Sequence, residues 1–253
     1  MLEDYLKQRR KEKDILLMTH IVAGYPNWEA CTDMVAAMVE AGVDLMELQI
    51  PFSEPIADGP VILKANQEAL ERGVTVARCL EFGREMARHH GIPFLYMTYY
   101  NILFRHGVAA FVEEMADSGI QGAIVPDLPP EEGEAYLKAM DRFGRHPIFI
   151  FSPTTSDARL HYLSSFARGF VYCVARKGVT GMDTRFSDEL SAYLARCRRA
   201  TDLPLALGFG VKGKEDVDFL KGKADIAVIG TQTLRLVDAQ GVAAVGDFIR
   251  GLQ

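Results

Sequence analysis

Eight short runs rich in apolar and β-branched residues recur along the chain, each followed by an amphipathic stretch, and this alternation constrains the fold more than any other feature. The runs are Leu16 to Val22, Leu45 to Ile50, Phe94 to Tyr99, Ala123 to Pro126, Pro147 to Phe151, Phe170 to Val174, Pro204 to Gly208 and Ile226 to Gly230. Strands alternating with helices imply crossover connections, hence a parallel sheet. Eight such units in 253 residues match the size of a closed eight-stranded α/β barrel. An open doubly wound sheet is the structural competitor. It needs a glycine-rich dinucleotide fingerprint after its first strand, and Ala23-Gly24-Tyr25-Pro26 is not one. No linker breaks the pattern, so residues 1–253 are expected to form a single domain.

The intervening stretches have helical spacing. Between Trp28 and Ala41, Ala30, Met34, Val35, Met38 and Val39 share a face, with Gly42 as a stop. Phe111, Met115 and Gly119 repeat that arrangement, and similar patterns occupy Glu131 to Phe143, Ser156 to Phe166, Ser187 to Arg199, Glu215 to Leu220 and Val242 to Leu252. Pro51 to Pro93 is long enough to hold an irregular loop as well as helix, and long loops in compact domains are usually functional. Hydrophobic residues at 49% and charged residues at 25% exclude disorder, collagen and coiled coil. The apolar runs are far shorter than a membrane span, and MLEDYLKQRRKEKD is too charged for a signal peptide, so a cytoplasmic protein is expected. Net charge is -6, and the scattered basic residues make no nucleic-acid footprint. The densest basic run, Lys7 to Lys13, reads as a solvated helix face. Cys31, Cys79, Cys173 and Cys197 include no CxxC and read as reduced packing residues rather than a disulfide framework or zinc site.

In a barrel of this kind the working face lies at the carboxyl ends of the strands. Alternation along strand two puts Leu45, Glu47 and Gln49 on one face and Met46, Leu48 and Ile50 on the other. Glu47 is therefore an acid within an apolar strand. A buried charge is costly, and its place near the strand's carboxyl end favours proton transfer over a structural ion pair. The next loop carries Asp58 before Gly59, readable as a second functional acid or as an ordinary Asp-Gly turn. Glycine-bearing turns follow the last three strands at Gly178-Val179-Thr180-Gly181, Gly208-Phe209-Gly210 and Gly230-Thr231. Each alone is a common turn or helix stop; together, at corresponding strand ends, they suit a phosphate.

With these residues in view the sequence resembles the tryptophan synthase alpha subunit family. The likeness runs through Ala23-Gly24-Tyr25-Pro26, Glu47, Ile50-Pro51-Phe52-Ser53, Ala57-Asp58-Gly59-Pro60, Tyr99-Tyr100-Asn101, Ile124-Val125-Pro126-Asp127-Leu128-Pro129 and Ser152-Pro153-Thr154-Thr155, and then through the three glycine turns. It implies a single (β/α)8 TIM barrel with an N-terminal helix and extended loops after strands two and six. It implies a carbon-carbon lyase that cleaves indole-3-glycerol phosphate to indole and glyceraldehyde 3-phosphate. On this resemblance Glu47 is the acid and base at indole C3 and the glycerol hydroxyl, and Asp58 accepts from the indole nitrogen. Tyr99 matches an aromatic that borders the indole pocket and Tyr172 a substrate-site tyrosine near Glu47, with core packing an open alternative for both. Gly181, Gly210, Gly230 and Thr231 hold the phosphate, and Thr180 belongs to a loop that closes over the site. Neither metal nor organic cofactor is implied.

The implied partner is a pyridoxal-phosphate-dependent beta subunit that receives indole for L-tryptophan synthesis in an alpha2beta2 complex. The strand-two loop and neighbouring rim loops would form the contact. Several positions depart from the family pattern: Gln49 replaces a glycine, Glu54 an aspartate, Ile102 a proline, His20 an aromatic residue and Gln232 a small residue. Gln49 would put a polar side chain at the pocket mouth. His20 reads as a hydrogen-bonded interior histidine without a catalytic role. Two alternatives stand beside the lyase: a catalytically weak regulatory subunit that activates the beta chain, and another phosphate-handling barrel enzyme.

Overall fold

The computed structural model describes residues 2–56, 58–175, 188–208 and 210–253. Eight parallel strands close into a barrel in sequence order: β1 (Leu16–Val22), β2 (Leu45–Gln49), β3 (Phe94–Met97), β4 (Gly122–Ile124), β5 (His146–Phe151), β6 (Val171–Val174), β7 (Leu205–Gly208) and β8 (Ile226–Ile229). All eight coincide with the apolar runs of the sequence to within one or two residues at most ends. The pairing of β1 with β8 closes the sheet, aligning Leu16 with Ile226 and Met18 with Val228.

Two side-chain layers follow from the pleat. Leu16, Met18, Leu45, Leu95, Ile124 and Ile226 fill the barrel interior, whereas Met46, Leu48 and Ile50 of the second strand segment pack outward against the helices. The outer shell includes α2 (Trp28–Glu40), whose start is fixed by Asn27, accepting from the Ala30 amide at 2.8 Å. Its inner face carries Cys31, Met34, Val35 and Met38, all buried. Among the described residues no helix is long and apolar enough to cross a membrane, and all four cysteines are buried and unpaired.

The amino-terminal end of the barrel is covered by α1 (Leu2–Arg9), whose Leu2 and Leu6 are fully buried in the interior cluster. The run Lys7 to Lys13 is largely solvated, as read from the sequence, with Lys7, Arg10 and Lys11 exposed, but it extends past the helix end and part of it also serves two acids. Arg9 donates to Asp44 at 2.8 and 3.1 Å, Lys13 donates to it at 3.0 Å, and Arg10 pairs with Asp225. Asp44, just before β2, is fully buried and also accepts from the Leu17 amide at 2.9 Å. A carboxylate withdrawn from water needs charged donors, and the basic run supplies them.

The long stretch between β2 and β3 holds a loop followed by α3 (Pro60–Glu71) and α4 (Val76–His89). After β3 come two helices, α5 (Tyr100–His106) and α6 (Val108–Asp117); the sequence pattern suggested only the second. Between β4 and β7 lie α7 (Glu134–Arg142), α8 (Asp157–Phe166) and α9 (Asp188–Ala200), and α10 (Lys214–Leu220) follows β7. The reading of Gly230-Thr231 as a turn also changes, because Gly230 caps α11 (Thr231–Gln240), which precedes α12 (Ala243–Arg250). Leu234 and Val237, three apart and both buried, were the available signal for that helix.

Candidate active site at the carboxyl ends of the strands

Parallel pairing sets His20 of β1 directly beside Glu47 of β2. Both side chains point inward and are 3% exposed, so each must find its polar partner inside the barrel. His20 Nδ1 lies 2.9 Å from Glu47 Oε1, and the Tyr172 hydroxyl donates to the same oxygen at 3.5 Å. Among the described residues Glu47 Oε2 accepts no hydrogen bond. Tyr172 of β6 aligns with Ala206 of β7, and its ring leans over Gly208, two residues further along β7. A side chain there would overlap the phenol ring, so the glycine is required by space rather than by backbone conformation.

Asp58 enters the same end from the loop after β2 and is 9% exposed. Its Oδ2 accepts from Gln49 Nε2 at 2.6 Å and from the Tyr99 hydroxyl at 3.4 Å. Gln49 does project toward the pocket mouth, but it is fully buried and engaged with the carboxylate. Asn66 of α3, also fully buried, holds the loop in place. Its side-chain oxygen accepts from the Phe52 amide at 3.0 Å and from Gln49 Nε2 at 3.3 Å, while its nitrogen donates to the Ile62 carbonyl at 2.8 Å. Phe52 stacks on Tyr99 with ring centroids 5.0 Å apart. The two acids predicted from the sequence are thus brought to one end of the barrel, each with one of the two predicted tyrosines.

The electrostatics follow from burial opposed by pairing. Burial raises the Asp58 carboxyl above its ordinary value, against the downward pull of the Gln49 amide and His20. Burial disfavours a charged imidazole at His20, but the bond to Glu47 and the negative charges of Glu47 and Asp58 outweigh it, and the imidazole is raised above its ordinary value. Burial, with the same two carboxylates nearby, lifts the Tyr172 phenol well above its ordinary value, so it acts as a neutral donor. A ring of proton donors and acceptors around an apolar barrel mouth is equipped to add a proton at one place and remove one at another.

At the same barrel end, Gly210 follows β7 with a positive φ of 111°, and Gly230, between β8 and α11, sits against His20. The amides of Thr231 and Gln232 find no backbone acceptor among the described residues. Such a helix start offers amide donors and the positive end of the helix dipole to an anion. Thr180 and Gly181 lie outside the described residues. Two members of the site had no assigned part in the sequence reading: His20, for which cross-strand register was the missing information, and Asn66, an unremarked polar residue within a helix.

The family profile described as tryptophan synthase alpha chain matches residues 6–246. A tryptophan synthase alpha chain from Desulforapulum autotrophicum is 65% identical over 252 residues, covering 100% of both chains, and one from Syntrophotalea carbinolica is 59% identical with the same coverage. Among solved structures, Mycobacterium tuberculosis tryptophan synthase superposes with a TM-score of 0.93 at 29% identity, over 99% of this chain and 96% of that one. A chain of the tryptophan synthase a2b2 complex from the hyperthermophile Pyrococcus furiosus superposes with a TM-score of 0.87 at 31% identity, over 94% of this chain and 97% of that one. With the closed barrel and the paired acids at its carboxyl end, these full-length likenesses lead to one conclusion: the chain belongs to the tryptophan synthase alpha chain family.

Proposed function

We propose that the chain is a carbon-carbon lyase, acting as one domain over residues 1–253, that cleaves indole-3-glycerol phosphate to indole and glyceraldehyde 3-phosphate. The observation that carries this reading is the convergence of Glu47 and Asp58, buried, on one end of the barrel. In the proposed reaction Glu47 protonates indole C3, which turns the ring into a leaving group, and takes the glycerol hydroxyl proton as the carbon-carbon bond breaks. Its own proton count is restored over the cycle. Asp58 accepts from the ring nitrogen, where positive charge develops, and its negative charge lowers the barrier most in a site closed to water. Tyr172 shares a Glu47 oxygen and Tyr99 flanks Asp58. Gly210, Gly230 and Thr231, with Gly181, serve as phosphate donors, and Thr180 serves loop closure. The chemistry asks for no metal or organic cofactor.

The partner proposed is a pyridoxal-phosphate beta subunit in an alpha2beta2 assembly that consumes the indole. Support comes from two large apolar side chains exposed after neighbouring strands, Ile56 of the loop after β2 at 69% and Phe104 of α5 after β3 at 68%. Purified protein, with and without a cognate beta subunit, should release indole from indole-3-glycerol phosphate, and Glu47→Gln should lower turnover by about 10²–10⁴-fold. Full turnover in that variant would remove Glu47 from the mechanism. The Gln49 amide already bonded to Asp58 favours a second reading, a regulatory subunit. That reading predicts activation of the beta chain without indole release in the same assay.

A further inference from the structure

Two of the five buried side-chain atoms without a hydrogen-bond partner among the described residues are His20 Nε2 and Gln49 Oε1. Both belong to inward-facing residues of adjacent strands at the same barrel end, two positions apart in register. Burying an unpaired polar atom costs free energy, so two side by side in a well-packed barrel call for a reason. Their chemistry supplies one. With Nδ1–H donated to a Glu47 carboxylate, the neutral imidazole leaves Nε2 as an acceptor facing an amide oxygen that is also an acceptor. A second proton on the ring turns Nε2 into the donor that Gln49 Oε1 lacks. From Gln49 the contacts continue through Nε2 to Asp58 at 2.6 Å. Glu47, His20, Gln49 and Asp58 form an almost continuous polar chain across the barrel mouth.

We propose that His20 is a positioning residue for the lyase reaction, holding Glu47 Oε1 by its Nδ1–H so that Oε2 is the oxygen presented to substrate. The inference rests on the proposed lyase function only for its kinetic consequence. The bond is short, fully buried and made between adjacent strands, so it restricts the carboxylate with little loss of side-chain freedom on binding. Among the described residues the charged and titratable groups facing the imidazole are Glu47 from β2, Asp58 from the following loop and the Tyr172 phenol from β6, and Gly230, just after β8, packs against it. Both carboxylates favour its charged form. Placing the imidazole between them screens their mutual repulsion, which would otherwise disfavour two ionised acids in one apolar site.

The test has two arms. In protein labelled with 15N at histidine, the His20 imidazole should be the Nδ1–H tautomer when neutral. It should titrate with a midpoint above 6.5, and Glu47→Gln should lower that midpoint. A midpoint at or below 6.5, or one unmoved by Glu47→Gln, overturns the pairing whether or not the protein releases indole. In the kinetic arm, His20→Phe should lower kcat for indole release by about tenfold to a hundredfold with KM for indole-3-glycerol phosphate unchanged. His20→Asn places an amide donor near the position of Nδ1 and should recover kcat to within about threefold of the unsubstituted protein. Equal kcat in all three overturns the positioning role. So does a loss in His20→Phe that His20→Asn fails to restore, if both variants keep the Tm of the parent. Absence of indole release from the parent itself refutes the lyase function instead, leaving the spectroscopic arm to decide the His20–Glu47 pair.

Discussion

At the scale of single residues, the site sets local stability against chemistry. Asp58 is held at a raised pKa by burial, so the folded state binds its proton more tightly than the unfolded chain does. Below its ordinary value of 3.8 the acid is protonated in both states and costs nothing; as pH rises through the folded value, ionisation penalises the fold. Asp58→Asn should therefore raise the Tm at about pH 7 and leave it unchanged near pH 3, while depressing indole release. Thermal scans at the two pH values check this, and an equal gain at both would show that the charge is not the cause. Asn66 works in the opposite sense, since two of its hydrogen bonds engage backbone groups of Phe52 and Ile62 and the third reaches Gln49. Asn66→Ala strands the Phe52 amide and should cost about 1–3 kcal/mol in urea unfolding, with faster hydrogen exchange in the loop that carries Asp58.

At the scale of the elements, the position of Tyr172 depends on a glycine one strand away. Gly208→Ala forces a methyl group into the phenol ring and should destabilise the protein by about 1–3 kcal/mol. It should also slow turnover by displacing the hydroxyl from Glu47. Unfolding measurements alongside steady-state kinetics separate the two effects, and a fully active, fully stable variant would show that the barrel mouth can yield. The same element shows how far the sequence could be read. Gly208 was visible as a turn glycine, and β6 and β7 as apolar runs, because strands buried on both faces have no polar alternation to blur them. That Gly208 clears room for Tyr172 was not visible, because it depends on the lateral register of two strands more than thirty positions apart. Register also explains why Glu47 stood out as an acid on the inner face whereas its neighbour His20 carried no role. α5 and α11 each start immediately after a strand-end motif, Tyr99-Tyr100-Asn101 and Gly230-Thr231, so their first turns read as loop.

At the scale of the whole molecule, the two ends of the barrel carry different kinds of polar chemistry. The carboxyl end gathers acids whose burial is costly, and the amino end gathers a buried acid fully supplied with donors, Asp44 with Arg9, Lys13 and the Leu17 amide. Asp44→Ala should cost about 2–3 kcal/mol by stranding that amide and releasing α1, discounted because both cations are partly exposed. The folded fraction should keep its kcat and KM, as kinetics normalised to active sites would show. A rim substitution should behave differently. Phe104→Glu should weaken association with a beta subunit, measured by sedimentation, without altering the Tm by more than about 0.5 kcal/mol equivalent. The helix laid across the floor therefore has a practical meaning for anyone diversifying this sequence. A library randomised around Leu2, Leu6 and Arg9 would sort its members by how long they survive, and one randomised around Gln49 and Tyr99 by what they can turn over, so longevity and workload could be improved in separate rounds.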